Sequence, residues 1–120
     1  MDPALTEYDL GFLVGLLIGE GHFGGDGRQP QITLRMHTRH IGVFAWLTEK
    51  LPYGRLYGPY DHGGRRYYQW MVRGPALRDG LLPLIAPRIA AVDAHCWARV
   101  TSMCSRYHIV LPSVSPSSVP

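Results

Sequence analysis

Leu13-Val14-Gly15-Leu16-Leu17-Ile18-Gly19-Glu20-Gly21 is the stretch whose reading decides the fold. It ends an apolar run that begins at Leu10. The spacing predicts a helix from about Glu7 to Glu20, opened by Thr6 with Asp9 three residues on, a capping box with Asp in place of the commoner Glu. Leu10–Ile18 is apolar almost all round, so it must be buried on more than one side. Within it Gly11, Gly15 and Gly19 recur every four residues. Glycine inside a helix costs about 0.5–1 kcal/mol relative to alanine. Three on one face imply that another backbone comes close, because small residues at this spacing let two helices cross almost in contact. A core helix whose glycines face a bulky neighbour is the alternative.

Glu20 is the first charge after Asp9. A carboxylate at a helix C-terminus faces the negative end of the macrodipole. On the simplest reading it marks where the helix reaches water. If two such helices pair through their glycines, however, two carboxylates arrive side by side. A divalent cation between them removes the repulsion and supplies hydrolytic chemistry.

Downstream, GHFGGDGRQP ends the helix and turns a hairpin. Gln31–His37 alternates as a half-buried strand does, with Ile32, Leu34 and Met36 on one face and Gln31, Thr33, Arg35 and His37 on the other. Thr38 is placed to cap a second helix over about Arg39–Leu51, which Pro52–Gly54 breaks. Strands follow near Arg55–Tyr60 and Arg66–Arg73, joined by DHGG. Gly74-Pro75 opens a helix near Ala76–Leu82, Pro83 and Pro87 are expected to interrupt the chain, and a last helix is expected over about Ile89–Arg106. The fold class is α+β: αββαββα with an extra C-terminal helix. One domain is expected over 1–107, with a flexible Pro/Ser-rich tail over 108–120.

Composition agrees with a single folded domain. The chain has 120 residues, 46% hydrophobic and 18% charged, enough to build a core. The net charge is +3, unevenly spread: residues 1–27 carry −5, residues 28–78 carry +7 and residues 79–120 carry +1. The two cysteines, Cys96 and Cys104, fit neither a disulfide scaffold nor a zinc site and read as packing residues in a reducing, cytoplasmic setting. The apolar run Leu10–Gly19 is half the roughly 20 residues of a membrane span, so no membrane is expected.

The motif helix followed by His22-Phe23 resembles the signature of the LAGLIDADG homing endonucleases, closest to variants ending in GEG. Leu51-Pro52-Tyr53-Gly54-Arg55-Leu56-Tyr57 is similar to that family's turn into its third strand, and Tyr68-Gln69-Trp70-Met71-Val72-Arg73-Gly74 to its fourth. Leu81-Leu82-Pro83-Leu84 and the following helix are similar to its C-terminal half, so the resemblance covers roughly residues 8–107. It implies a saddle whose curved four-stranded antiparallel sheet lies in a DNA major groove, with helices on the other face. It also implies motif helices at a dimer interface built on Gly11, Gly15 and Gly19. A chain with one motif is then a homodimer cutting a long near-palindromic duplex. The resemblance implies that Glu20 binds Mg²⁺ or another divalent cation, together with the Gly19 carbonyl, and acts as the catalytic acid residue. Arg88 falls where many relatives carry a lysine near the scissile phosphate. Arginine keeps the charge but cannot deprotonate, so charge stabilisation is its expected part.

The face opposite the expected core carries His22, Gln31, Thr33, Arg35, His37, Arg55, Tyr57, Tyr67, Gln69 and Arg73, with no Asp or Glu. Such a set suits double-stranded DNA: arginine pairs with guanine, glutamine with adenine, and threonine meets a thymine methyl. Arg28, Arg65 and Arg66, in turns, are expected on phosphates, which position without specifying. A solvated outer sheet face is the bland alternative. His37 and His40 lack the company of a zinc site, Trp46 and Trp97 read as core, Asp61-His62 as turn chemistry, and Asp93 with His95 or Cys96 as helical neighbours that point apart. The leading expectation is a homodimeric, metal-dependent, site-specific DNA endonuclease. The alternative is a DNA- or RNA-binding regulator or intron splicing cofactor on the same fold that does not cleave.

Overall fold

The computed structural model describes residues 5–111. Helix α1 spans Glu7–Glu20, with the expected capping box: Asp9 N donates to Thr6 Oγ1 and Thr6 N to Asp9 Oδ2, each at 3.0 Å. Strands β1 (Gly21–Gly25) and β2 (Pro30–His37) form the first hairpin. At its turn, Asp26 Oδ1 accepts from the backbone N–H groups of Arg28 and Gln29 at 2.8 Å each. Helix α2 spans Ile41–Lys50, and β3 (Arg55–His62) and β4 (Arg65–Arg73) form the second hairpin. Gly63 and Gly64 close it with φ of 60° and 81°, the left-handed conformation a two-residue hairpin demands. Helices α3 (Leu82–Val92) and α4 (Ala94–Arg106) complete the chain.

The four strands form one antiparallel sheet in the order β1-β2-β4-β3. Ile32, Leu34, Trp70 and Val72 from the inner strands are buried against Leu13 and Leu17 of α1, Phe44 and Leu47 of α2 and Ile85 and Ile89 of α3. Phe23, Met36, Leu56 and Tyr68 pack at the edge of that core, as the alternation predicted.

Three local expectations are corrected. Thr38 does not cap the second helix; a 3₁₀ turn over Thr38–His40 precedes α2, and His37 Nδ1 accepts from Arg39 N at 3.0 Å. Ala76–Leu81 is wound as a π turn that runs straight into α3. Pro83 and Pro87 do not interrupt the chain. Pro83 lies in the first turn of α3, just after Leu82 N closes the last five-residue bond of the π turn onto Leu77 O. Pro87 withdraws the N–H that would reach the Pro83 carbonyl, but both prolines are exposed, and buried Ile85, Ala86 and Ile89 hold the helix together. The break comes at Asp93, whose extended backbone and side-chain acceptance from Cys96 N at 2.8 Å start α4 afresh.

The chain stays packed past residue 107. His108 takes a left-handed φ of 56°, Ile109 N donates to Cys104 O at 2.8 Å, and Ile109 and Leu111 lie against the core. The Pro/Ser-rich tail from residue 112 on lies outside the described residues. Among those residues no helix is long and apolar enough to cross a membrane.

The Thr6 backbone N–H, above all, holds the Asp9 carboxyl below its ordinary range. Its contribution is therefore fully present above that range and is lost as pH falls through the lowered native value. Asp9→Asn keeps an acceptor and removes the titration, so its denaturation midpoint should fall less steeply with acid than that of the parent. At the core, Leu17→Ala is expected to cost about 2–5 kcal/mol of unfolding free energy in denaturant titrations.

Candidate nucleic-acid and cation interface

The two sides of α1 differ. Leu10, Leu13, Val14 and Leu17 are buried on the sheet side. On the other side Gly11, Gly15 and Gly19 are exposed, and a Cβ built on any of them meets nothing within 4 Å. Tyr8 (82% exposed) and Phe12 (40%) lie on α1 as well, and Val92 of α3 is 71% exposed. Gly11 and Gly15 line one groove with Val14, Ile18, Arg88 and Val92. Among the described residues no bulky neighbour covers the glycines, so the core-helix alternative finds no support there.

The exposed end of this stripe is Glu20. It opens onto the sheet face: one cleft of about 370 Å³ is lined by Glu20, His22, Gln31, Thr33, Arg35, Gln69 and Met71. Six of these seven come from the sequence-predicted set. The register explains their convergence, since Thr33 pairs across to both His22 and Met71, and Arg35 sits opposite Gln69. Thr33 points to this face but is only 7% exposed, so it forms floor rather than contact surface.

Several side chains on this face hold one another. Arg35 donates from Nε (3.2 Å) and Nη2 (2.9 Å) to Gln69 Oε1, and its guanidinium lies 5.1 Å from the centre of the Tyr67 ring. Arg73 Nη2 donates to Tyr57 Oη at 3.0 Å. Arg65 and Arg66 belong to β4 rather than to a turn. With Arg35, His37, His62 and Tyr67 they line a second cleft of about 410 Å³. Arg28 is exposed in the first hairpin turn, and Arg55 begins β3 opposite Met71.

Arg88 is not brought to Glu20. Its Nη2 donates to Glu7 Oε1 at 3.1 Å and its Nη1 to Leu84 O at 2.8 Å. Glu7 and Glu20 are the two ends of a 14-residue helix, about 20 Å apart along its axis. Within one protomer Arg88 is therefore a rim residue of the glycine groove, and its expected place beside a reacting phosphate is not what the geometry gives.

Two residues escaped the sequence reading. Met71 shares the alternation of Gln69 and Arg73, and only its apolar character hid it. Arg99 of α4 donates from Nη1 to Gly21 O (3.2 Å) and from Nη2 to Ile18 O (3.3 Å), and stacks 5.2 Å from the Phe23 ring centre. The last turn of α1 holds no basic residue of its own, so Arg99 supplies the positive charge that a helix C-terminus favours. It bonds the carbonyls on either side of Gly19-Glu20. No local pattern marks it, because its partners lie 78 and 81 residues away.

Carboxylate and carbonyl oxygens are hard donors suited to Mg²⁺. Exposed Glu20 and the exposed Gly19 backbone provide one of each, so the donor chemistry fits the cation. Among the described residues no three His, Cys, Asp or Glu side chains converge. Cys96 and Cys104 are buried and unbridged, and burial pushes both thiols up, away from nucleophilic use. No protein-family model matches the chain, and no curated protein matches it.

The open stripe makes a two-sided prediction. Gly11→Ala with Gly15→Ala should stabilise the isolated protomer, by about 0.5–1 kcal/mol per site, because the added methyls meet nothing. The same pair should weaken self-association, read by sedimentation across a concentration series.

Proposed function

We propose that this chain is a homodimeric, divalent-cation-dependent, site-specific DNA endonuclease of the LAGLIDADG homing type, acting on a long near-palindromic duplex. The observation that carries the reading is a single helix end. There an uncovered glycine stripe, an exposed carboxylate and an arginine-bearing sheet face meet.

A two-fold axis laid along α1 presses the two stripes together and buries the apolar side chains beside them. It also brings two Glu20 carboxylates to the same place, where like charge would oppose the pairing. Glu20 and the Gly19 carbonyl would hold a divalent cation there. When bound, the cation polarises a phosphoryl oxygen and lowers the pKa of a coordinated water. The rest falls to the chain's own residues. The sheet face seats the duplex, with the outlying arginines Arg28, Arg65 and Arg66 on phosphates. Arg99 holds the carbonyls that flank the acid and so fixes the direction in which Gly19 and Glu20 present their oxygens. His22, on the same cleft, supplies a donor to a phosphate oxygen beside the acid.

The second reading, a DNA- or RNA-binding regulator or splicing cofactor that does not cleave, draws on the engagement of Arg88 with Glu7 far from the acid. One comparison separates them. Duplexes selected by the protein from a random pool are incubated with Mg²⁺ and either parent or Glu20→Gln. The parent should nick them, and Glu20→Gln should bind with similar affinity and lose nicking by at least a hundredfold, the scale on which removal of an electrostatic catalytic group acts. Nicking that survives the substitution removes Glu20 from the reaction. Selective binding by a parent that never nicks favours the second reading.

A further inference from the structure

We infer that Arg35, clamped by Gln69 and Tyr67, is a dedicated guanine reader, and that Gln69 is its positioning residue rather than an independent base contact. The inference rests on the nucleic-acid reading of the sheet face but needs no cleavage.

A guanidinium carries five N–H donors in a rigid planar fork with two usable edges. One is the side edge of Nε and Nη2, the other the end edge of Nη1 and Nη2. Gln69 Oε1 takes the side edge with two bonds, at 3.2 and 2.9 Å. The Tyr67 ring lies against the guanidinium, 5.1 Å from its carbon, and Tyr60 backs that ring with a centroid distance of 5.5 Å. Plane and direction are both held before any ligand arrives. What is left to a ligand is the end edge, two parallel donors. In a major groove, guanine presents two neighbouring acceptors, O6 and N7, on one base, and adenine, cytosine and thymine do not.

A phosphate accepts the same fork, so position has to decide between the two. Arg35 lies on β2 and Gln69 on β4, the two inner strands of the sheet. Arg35 also lines the cleft that holds Glu20. It borders the cleft of Arg65 and Arg66 as well, but it lies on an inner strand between the two clefts, where base edges lie, whereas Arg28 and those two arginines sit in or beside the hairpin turns. Gln69, with its carbonyl oxygen spent on Arg35, lacks the acceptor half of the amide pair that recognises adenine.

The full-length chain is tested by selection from a pool of randomised duplexes without divalent metal, followed by sequencing. The parent should enrich a guanine at one position in each half-site. Arg35→Ala should erase that preference and leave the other positions intact. Gln69→Leu should weaken the same preference, by roughly 5- to 100-fold in relative enrichment, and alter no other position. The double variant should match Arg35→Ala alone, as expected of residues that act as one unit. Thermal melting of each variant near the parent value shows that the face is still folded. A parental preference at a different position that disappears in Gln69→Leu would mean that Gln69 reads a base itself. A uniform loss of affinity in Arg35→Ala would make Arg35 a phosphate contact. Either result overturns the proposal while leaving DNA binding in place. A parent that enriches no duplex overturns the nucleic-acid reading first, and this proposal with it.

Discussion

A helix that is apolar on every side has to be covered on every side, and within one protomer α1 is covered on one. Its leucines and Val14 fill the space over the sheet, while its glycines look outward with nothing against them. Helical glycine costs stability unless something uses the room it leaves. The rest of the structure is arranged around that cost. The sheet-facing half of α1 anchors the core, and the outward half leads to the exposed Glu20 carboxylate at its C-terminal end. The glycines and the exposed Tyr8 and Phe12 beside them leave room along this side for the partner helix of the proposed dimer.

Electrostatics work in the same direction. The end of α1 gathers its macrodipole and the Glu20 carboxylate into a small negative region. Arg99 reaches in from α4 to offset part of it. The adjoining sheet face has the opposite character, with Arg35 held by Gln69 and Tyr67 and Arg73 by Tyr57. A polyanion laid across that face would pass directly by the acid. In the absence of a cation the acid would repel it, which gives the proposed metal a physical task before any chemistry begins.

How much of this was legible in the sequence varies by residue. The capping box of Thr6 and Asp9, both bounds of α1 and the two faces of β2 and β4 follow from spacing alone, and the structure agrees. Pro83 and Pro87 misled, because proline acts on a helix through exposure and position, and neither is visible in a local pattern. Asp93, which local spacing makes a helical neighbour of Cys96 pointing away from it, instead lies outside the helix and caps α4 by accepting from Cys96 N. Met71 was legible and passed over. Arg88 illustrates the limit of carrying a role across by position: its charge matches, yet its side chain is spent on Glu7 and the Leu84 carbonyl.

The sequence by itself determined what periodicity and short-range hydrogen bonding control: which segments are helices and strands, which face of each is apolar, and that the first helix has two faces to bury. These are properties of residues three, four or two positions apart. Only the tertiary structure decided which charges meet. It brought Arg99 to the end of α1, seated Arg35 against Gln69 across two strands, and sent Arg88 to the far end of the motif helix. Those contacts join residues 34 to 81 positions apart. They depend on how whole elements pack against one core, a quantity that no window of sequence contains.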